Sequence, residues 1–364
     1  MSKRIESMHR NRGVAEVKLY DGPSKDRYQF GVVRLDFNER TTPPHKLVSE
    51  ALIKWAKEGE HQLYPPDYKE VEGVIAKYAG VKPEEVILTN GSDGGISLLS
   101  RTILEKGDKI VIPKPTFPSL EDEPRKQRAE IVSPRPSYMG ENLDFPFEEV
   151  MTQLASDIKL VVICNPNSPT GTIAPRGQLI EIIKRAAEVK ADVLVDEAYY
   201  EFSKFTVIDL IREFDNLYIS RTLSKAMGIA GLRAGYIVSQ KENRDELEKF
   251  RQPYEVNAFA VAAVKTLESP EVLKDIKNYV SEVMDVSKPI LEEFYEKNGI
   301  KFFPSAANFH LLQTEKGLAE FLKSKGIFVR VKESLPGLVR VSIGTKEDTK
   351  KYIRAFQEYL DSSK

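Results

Sequence analysis

The sequence predicts an α/β protein: a large domain built on a mostly parallel, doubly wound sheet, followed by a smaller α/β C-terminal domain. Three observations predict it. Short, almost wholly apolar runs alternate with helix-like segments through the first two thirds of the chain, a pattern that suits strands buried on both faces. Four of those runs end in clusters of polar residues. Beyond about residue 241 the pattern turns helical and then resumes as a second, shorter set of strands.

Residues 1–42 are polar, with Asp21-Gly22-Pro23-Ser24 as a turn signal and Val32 to Phe37 as one short strand. This segment reads as an arm that joins the small domain. From Pro44 to Glu60, Leu47, Ala51, Leu52 and Trp55 share one helical face, and Val71, Val74, Ile75 and Tyr78 share another. The alternation then begins, with strands at Val86 to Leu88, Lys109 to Ile112, Ala129 to Val132, Leu160 to Cys164 and Ala191 to Asp196. Helices are expected at 94–105 and 174–190. Leu217 to Ser220 and Ala234 to Val238 complete the large domain, taken as 43–268. A long periodic run over 269–297 suits an interdomain helix. In the small domain, 269–364, strands at Phe302-Phe303, Asn308 to Leu312, Ile327 to Val329 and Val339 to Ile343 alternate with helices near 315–325 and 346–361.

Composition narrows the function. The 364 residues carry 54 Lys and Arg against 55 Asp and Glu, a net charge of -1, so no global field favours nucleic acid or an acidic membrane. The chain is expected to handle small molecules. A single cysteine, Cys164, excludes an internal disulfide and fits a reducing compartment. No signal-peptide core or long uncharged apolar run is present, so a cytoplasmic location is expected, with no membrane partner. The four histidines, His9, His45, His61 and His310, are too dispersed for a zinc motif, and no metal is expected.

In an open parallel sheet, ligands sit beyond the carboxyl ends of the strands. The polar residues there are Asn90 to Asp93, Asn165 to Gly171, Asp196 to Tyr199 and Thr222 to Lys225. The last cluster carries the most chemistry. Thr222, Ser224 and Lys225 lie in the connection between two strands, with Arg233 eight residues after the lysine and Gly228, Gly231 and Gly235 around it. Hydroxyls with an arginine suit a phosphate, and a desolvated lysine among other cations suits a Schiff base. A phosphate and an aldehyde on one ligand point to pyridoxal phosphate. A basic, glycine-rich surface loop is the alternative reading of the same residues.

Three signatures then coincide in order: Asn165-Pro166-Asn167-Ser168-Pro169-Thr170-Gly171, Val195-Asp196-Glu197-Ala198-Tyr199, and Ser224-Lys225 leading to Gly231-Leu232-Arg233. With them the chain, from about 35 to 345, resembles the fold-type I pyridoxal-phosphate aminotransferases of the class I/II group, in particular the histidinol-phosphate aminotransferase branch. The resemblance implies that Lys225 is the Schiff-base lysine and the base that moves the substrate Cα proton. It implies that Asp196 pairs with the pyridine nitrogen, Tyr199 with the phenolic oxygen, and that Phe117 stacks on the ring. Gly91, Ser92 and Asp93 would begin a helix that holds the phosphate, aided by Thr222, Ser224 and Arg233. Tyr64 would reach the phosphate of a neighbouring subunit, which implies a homodimer with shared sites. Arg340 would clamp the α-carboxylate and Arg330 the distal substrate group.

Two departures accompany the resemblance. Ser168, preceded by Asn167, stands where the family usually has asparagine before Pro-Thr-Gly, so either Ser168 or a neighbour must bond the phenolic oxygen. In the arm, Tyr20-Asp21-Gly22-Pro23 matches the branch's proline-rich segment only loosely. The function implied is transfer of an amino group between an amino acid or amine such as histidinol phosphate and the 2-oxo acid 2-oxoglutarate through a Lys225 aldimine, as in histidine biosynthesis. The alternatives are a decarboxylase or lyase on the same scaffold, similar to phosphothreonine decarboxylase, or an aminotransferase for aromatic or other amino acids.

Overall fold

The computed structural model describes residues 17–362 apart from 18–21, 23, 60–61, 66, 135–137, 139–140, 315–316 and 332–334. His9, Tyr20, Asp21, Pro23 and His61 therefore lie outside the described residues. Twelve strands are described: β1 (Val33–Leu35), β2 (Val86–Thr89), β3 (Lys109–Val111), β4 (Glu130–Val132), β5 (Ile158–Cys164) and β6 (Asp192–Asp196), then β7 (Leu217–Thr222), β8 (Gly235–Val238), β9 (Phe302–Phe303), β10 (Phe309–Gln313), β11 (Ile327–Val331) and β12 (Leu338–Ser342).

Seven of them form one sheet in the order β2-β8-β7-β6-β5-β3-β4. From β7 to β4 every pairing is parallel, while β8 runs antiparallel to both of its neighbours. The central strands are buried along almost their whole length, as the unbroken apolar runs require, because helices cover both faces. Helices Gly91–Ile103 and Arg176–Glu188 pack through Ile96, Leu98 and Leu99 and through Leu179, Ile182 and Ile183. The expected helices at 94–105 and 174–190 are these two; the first begins three residues earlier and ends two earlier, and the second is two residues shorter at each end.

A second sheet has the order β1-β11-β12-β10-β9. Its only parallel pairing is β1 with β11, Val33 lying opposite Ile327 and Leu35 opposite Val329. The periodic run over 269–297 forms Pro270–Ser281 and Lys288–Lys297, joined through a π-helical stretch at Glu282–Ser287. A proline at the second position of the following helix, Pro289, has no amide hydrogen to give, which is a known setting for a widened turn. The helix Pro118–Lys126 falls where the sequence suggested only a connection. Its low apolar content leaves little periodicity to detect, although Pro118 opens it in the first turn, where a missing amide costs nothing.

Among the described residues, no helix is long and apolar enough to cross a membrane.

Candidate active site

The parallel pairing brings three strand ends level, Cys164 opposite Asp196 and Asp196 opposite Ser220. Polar residues that follow these ends open into a cavity of about 1020 Å³ lined by Phe37, Ser92, Asp93, Phe117, Ser168, Asp196, Tyr199, Thr222, Ser224, Lys225, Arg233, Arg330 and Arg340, among others.

Asp196, the last residue of β6, lines the cavity. Its Oδ2 faces Cys164 Sγ at 3.7 Å, and its Oδ1 has no hydrogen-bond partner among the described residues. Burial pushes this carboxyl up to about 7. Lys225 lines the same cavity from the connection between β7 and β8. Burial, with the Arg340 charge next in effect, lowers its amine to about 8, and Nζ donates to the Phe37 carbonyl at 2.9 Å. Lys225 is the only buried lysine whose amine is brought down toward neutrality among the described residues.

One end of the cavity is built for an anion. The helix Gly91–Ile103 directs its first N–H groups there, where the helix dipole also favours negative charge. Gly91 has φ of +72°, and a Cβ on it would stand 2.6 Å from Arg233 Nη2. A Cβ on Gly235 would stand 2.4 Å from the Ser92 nitrogen, so both glycines are needed for strand, helix and arginine to meet. Arg233 Nη2 donates to Asp93 Oδ2 at 2.8 Å, and Ser119 Oγ donates to Asp93 Oδ1 at 2.8 Å. Thr222 Oγ1 donates to Ser224 Oγ at 2.9 Å beside them.

The opposite wall comes from the second sheet. Arg340 on β12 is buried, donating from Nη1 to Ser168 Oγ at 3.1 Å and from Nη2 to the Asp36 carbonyl at 2.7 Å. Arg330, opposite it on β11, places its guanidinium 5.0 Å from the Phe37 ring centre. Tyr199 is buried, its phenol raised by that burial, and its ring meets Phe309 edge-on at 5.3 Å.

The structure thus gathers most of the residues singled out from sequence, but not all. Asn167 does not line the cavity: its amide donates to the Pro115 carbonyl at 2.9 Å and to Thr170 Oγ1 at 2.8 Å. Tyr64 is 77 % exposed and stacks on Tyr254 at 4.5 Å, away from this chain's own cavity. Sequence reasoning missed Asp36 to Glu39, which follow β1. Phe37 and Glu39 line the cavity, and Asn38 Nδ2 donates to Tyr199 Oη at 3.0 Å. The signal was present, since polar residues after a short apolar strand are the feature that marked the other four sites. It also missed the rim formed by Lys114, Glu121 and Arg125, joined by ion pairs of 2.7 and 2.8 Å. Among the described residues there is no cluster of three side chains able to hold a metal ion.

This donor set fits pyridoxal phosphate. The orphaned buried oxygen of Asp196 calls for a donor such as a pyridinium N–H, the buried amine calls for an aldehyde, and the helix start with Arg233 calls for a phosphate.

Comparison with known proteins agrees. The family model "Aminotransferase class I and II" matches residues 30–356. A histidinol-phosphate aminotransferase of Ruminiclostridium cellulolyticum is 33% identical over 328 residues, covering 86% of this chain and 89% of the relative. One of a Thermoanaerobacter species is 31% identical over 335 residues, covering 90% and 93%. The crystal structure of histidinol-phosphate aminotransferase from Sinorhizobium meliloti in complex with pyridoxal-5'-phosphate superposes with a TM-score of 0.84, covering 98% of this chain and 99% of that one at 22% identity, a likeness of fold. These relatives do not favour the decarboxylase or lyase alternative. By the extent of the family match and the identity to its relatives, the chain belongs to the class I and II aminotransferases.

Proposed function

We propose that this aminotransferase exchanges an amino group between histidinol phosphate and 2-oxoglutarate, with Lys225, Asp196 and Arg340 as the central residues. The observation that carries the residue assignment is the pair of buried groups that line one cavity, a carboxyl raised to about 7 and an amine lowered to about 8. Pyridoxal phosphate, when bound, supplies the electron sink that accepts the charge left at the substrate Cα.

Asp196 would hold the pyridine nitrogen protonated, and Phe117 would lie against the ring. Gly91, Ser92 and Asp93, with Thr222, Ser224 and Arg233, would hold the phosphate. Lys225 would hold the aldehyde carbon and, once displaced by the substrate amine, take the Cα proton and return it one position away. An amine lowered to about 8 is neutral in about one molecule in ten at pH 7, enough to act as a base without a large free-energy cost. Arg340 would bind a carboxylate with two parallel hydrogen bonds. Histidinol phosphate lacks that carboxylate, and Arg330 would hold its phosphate instead. The names of both relatives support this choice of donor.

Assembly as a homodimer is part of the same reading, supported by the exposed aromatic pair Tyr64 and Tyr254, since Tyr64 would complete a neighbour's phosphate site. A cytoplasmic setting is consistent with Cys164 remaining a free thiol. The division into an arm to residue 42, a large domain 43–268 and a small domain 269–364 is supported by the two separate sheets and by the pairing of β1 with β11.

The test is the visible spectrum of the holoprotein before and after histidinol phosphate. Wild type is expected to lose an absorption at about 420 nm and gain one at about 330 nm, and Lys225→Ala to show neither, with turnover reduced by ~10⁴-fold. A band that ignores histidinol phosphate and answers to another amino acid overturns the donor. Absence of any band after adding cofactor overturns the site assignment.

A further inference from the structure

Asn38 lies on the stretch that leaves β1, fully buried, with φ of +54°, a left-handed backbone that asparagine tolerates better than most residues. Its surroundings fix which way its amide points. The Asn38 backbone N–H donates to Ser342 Oγ at 2.9 Å, and the Ser342 hydroxyl donates to Asn38 Oδ1 at 2.8 Å. Asn308 Nδ2 donates to the Asn38 backbone carbonyl at 3.2 Å. With Oδ1 committed as an acceptor, the side chain's donor end is Nδ2, and it meets Tyr199 Oη at 3.0 Å. A phenol has one hydrogen, so an oxygen that accepts here must send its own hydrogen elsewhere. Ser168 Oγ, on the same cavity wall, accepts from Arg340 Nη1 at 3.1 Å and keeps its own hydrogen to give. The Asn38 amide, the neighbour of the Tyr199 oxygen with a set direction, therefore acts as a donor.

We propose that Asn38 is a positioning residue: it accepts no proton from Tyr199 and so directs the phenolic hydrogen into the cavity, toward the ring oxygen of the bound cofactor. The inference rests on the cofactor reading above and deepens it. A hydrogen bond to that oxygen stabilises its anionic form and loosens its hold on the proton of the adjacent lysine-linked nitrogen. The site then releases that proton at lower pH.

The experiment is a pH titration of the visible absorption of the holoprotein, which reads proton affinity at the cofactor without turnover. Asn38→Gly removes the amide while suiting the positive φ, and Ser342→Ala frees the amide to turn. Tyr199→Phe is expected to raise the midpoint by about one pH unit, roughly tenfold in proton affinity. Asn38→Gly and Ser342→Ala are expected to raise it in the same direction by about half as much or more, and neither is expected to add to Tyr199→Phe in the double variant. Should Asn38→Gly fail to take up cofactor, Ser342→Ala carries the same prediction. Unmoved midpoints in the Asn38 and Ser342 variants, with Tyr199→Phe shifted, overturn the proposal alone, as do shifts that add in full to Tyr199→Phe. A Tyr199→Phe variant that titrates like wild type, or a protein with no visible band, overturns the cofactor reading beneath it.

Discussion

Asp196 and Glu197 are neighbours at the end of β6, both buried carboxyls, yet they face opposite sides of the sheet and live in opposite circumstances. Glu197 is saturated. Arg221 donates to it from Nε at 3.0 Å and Nη2 at 2.8 Å, Thr206 Oγ1 donates at 2.8 Å, and the Val207 N–H donates at 2.8 Å. The Arg221 guanidinium in turn lies 3.6 Å from the Tyr200 ring centre. Asp196, one residue earlier, keeps an oxygen without a partner. A buried charge that is fully paired holds a fold together, whereas one left incomplete costs stability until a ligand completes it. Burial alone does not mark a functional group; an unfinished set of partners does.

The comparison can be broken by exchanging each carboxylate for its amide. Asp196→Asn is expected to lower turnover of the holoenzyme by ~10²–10³-fold. Its apoprotein should nevertheless melt higher than wild type at pH 8. Because the folded Asp196 carboxyl titrates near 7 instead of its ordinary 3.8, the folded apoprotein loses stability as pH rises from about 4 through 7. That loss is on the order of 2–4 kcal/mol, so the difference between variant and wild-type melting midpoints should close at pH 4. An apoprotein variant that melts lower than wild type at pH 8 would show that Asp196 is a structural group like its neighbour.

Glu197→Gln should do the reverse. It strands the Arg221 charge in the interior, at an expected cost of ~3–5 kcal/mol in a denaturation experiment. The surviving holoprotein should keep the wild-type pH midpoint of its visible band. A moved midpoint at unchanged stability would place Glu197 in the working site.

The smallest expected effect lies on the opposite wall. Arg340→Lys keeps the charge and removes the planar pair of donors, so KM for a dicarboxylic oxo acid should rise ~10–100-fold with little change in kcat. The half-reaction with histidinol phosphate, which offers no carboxylate, should change far less. Equal losses in both halves would count against Arg340 as a carboxylate clamp.

The cavity's main residues were legible because their chemistry is carried by strand ends, and strands of four to seven apolar residues announce themselves. Asp196, Thr222 and Lys225 follow such runs directly. Phe117 and Ser168 needed the resemblance to gain a role, since one aromatic ring and one hydroxyl have no period to betray them. Asn38 could be marked as a polar residue after a strand, but its role could not be read locally. Its partners, Tyr199, Asn308 and Ser342, lie 161 to 304 residues away, and no local pattern encodes a hydrogen bond of that reach. Asn167 shows another limit of a motif: the expectation of a cofactor contact says nothing of the bonds its amide gives to Pro115 and Thr170.

The span from Asn38 to Ser342 also bears on how the protein is made. Synthesis delivers Asp196 and Lys225 well before β11 and β12 exist, so a growing chain holds its lysine and aspartate while Arg330, Arg340 and the tether of Asn38 are still missing. Closing a contact across 304 residues comes late and carries a loop-entropy cost that local helices do not face. A nascent or truncated chain ending before Ile327 thus has Lys225 and Asp196 without the two arginines and the tether of Asn38, and the last strands to be made are the ones that complete the cavity.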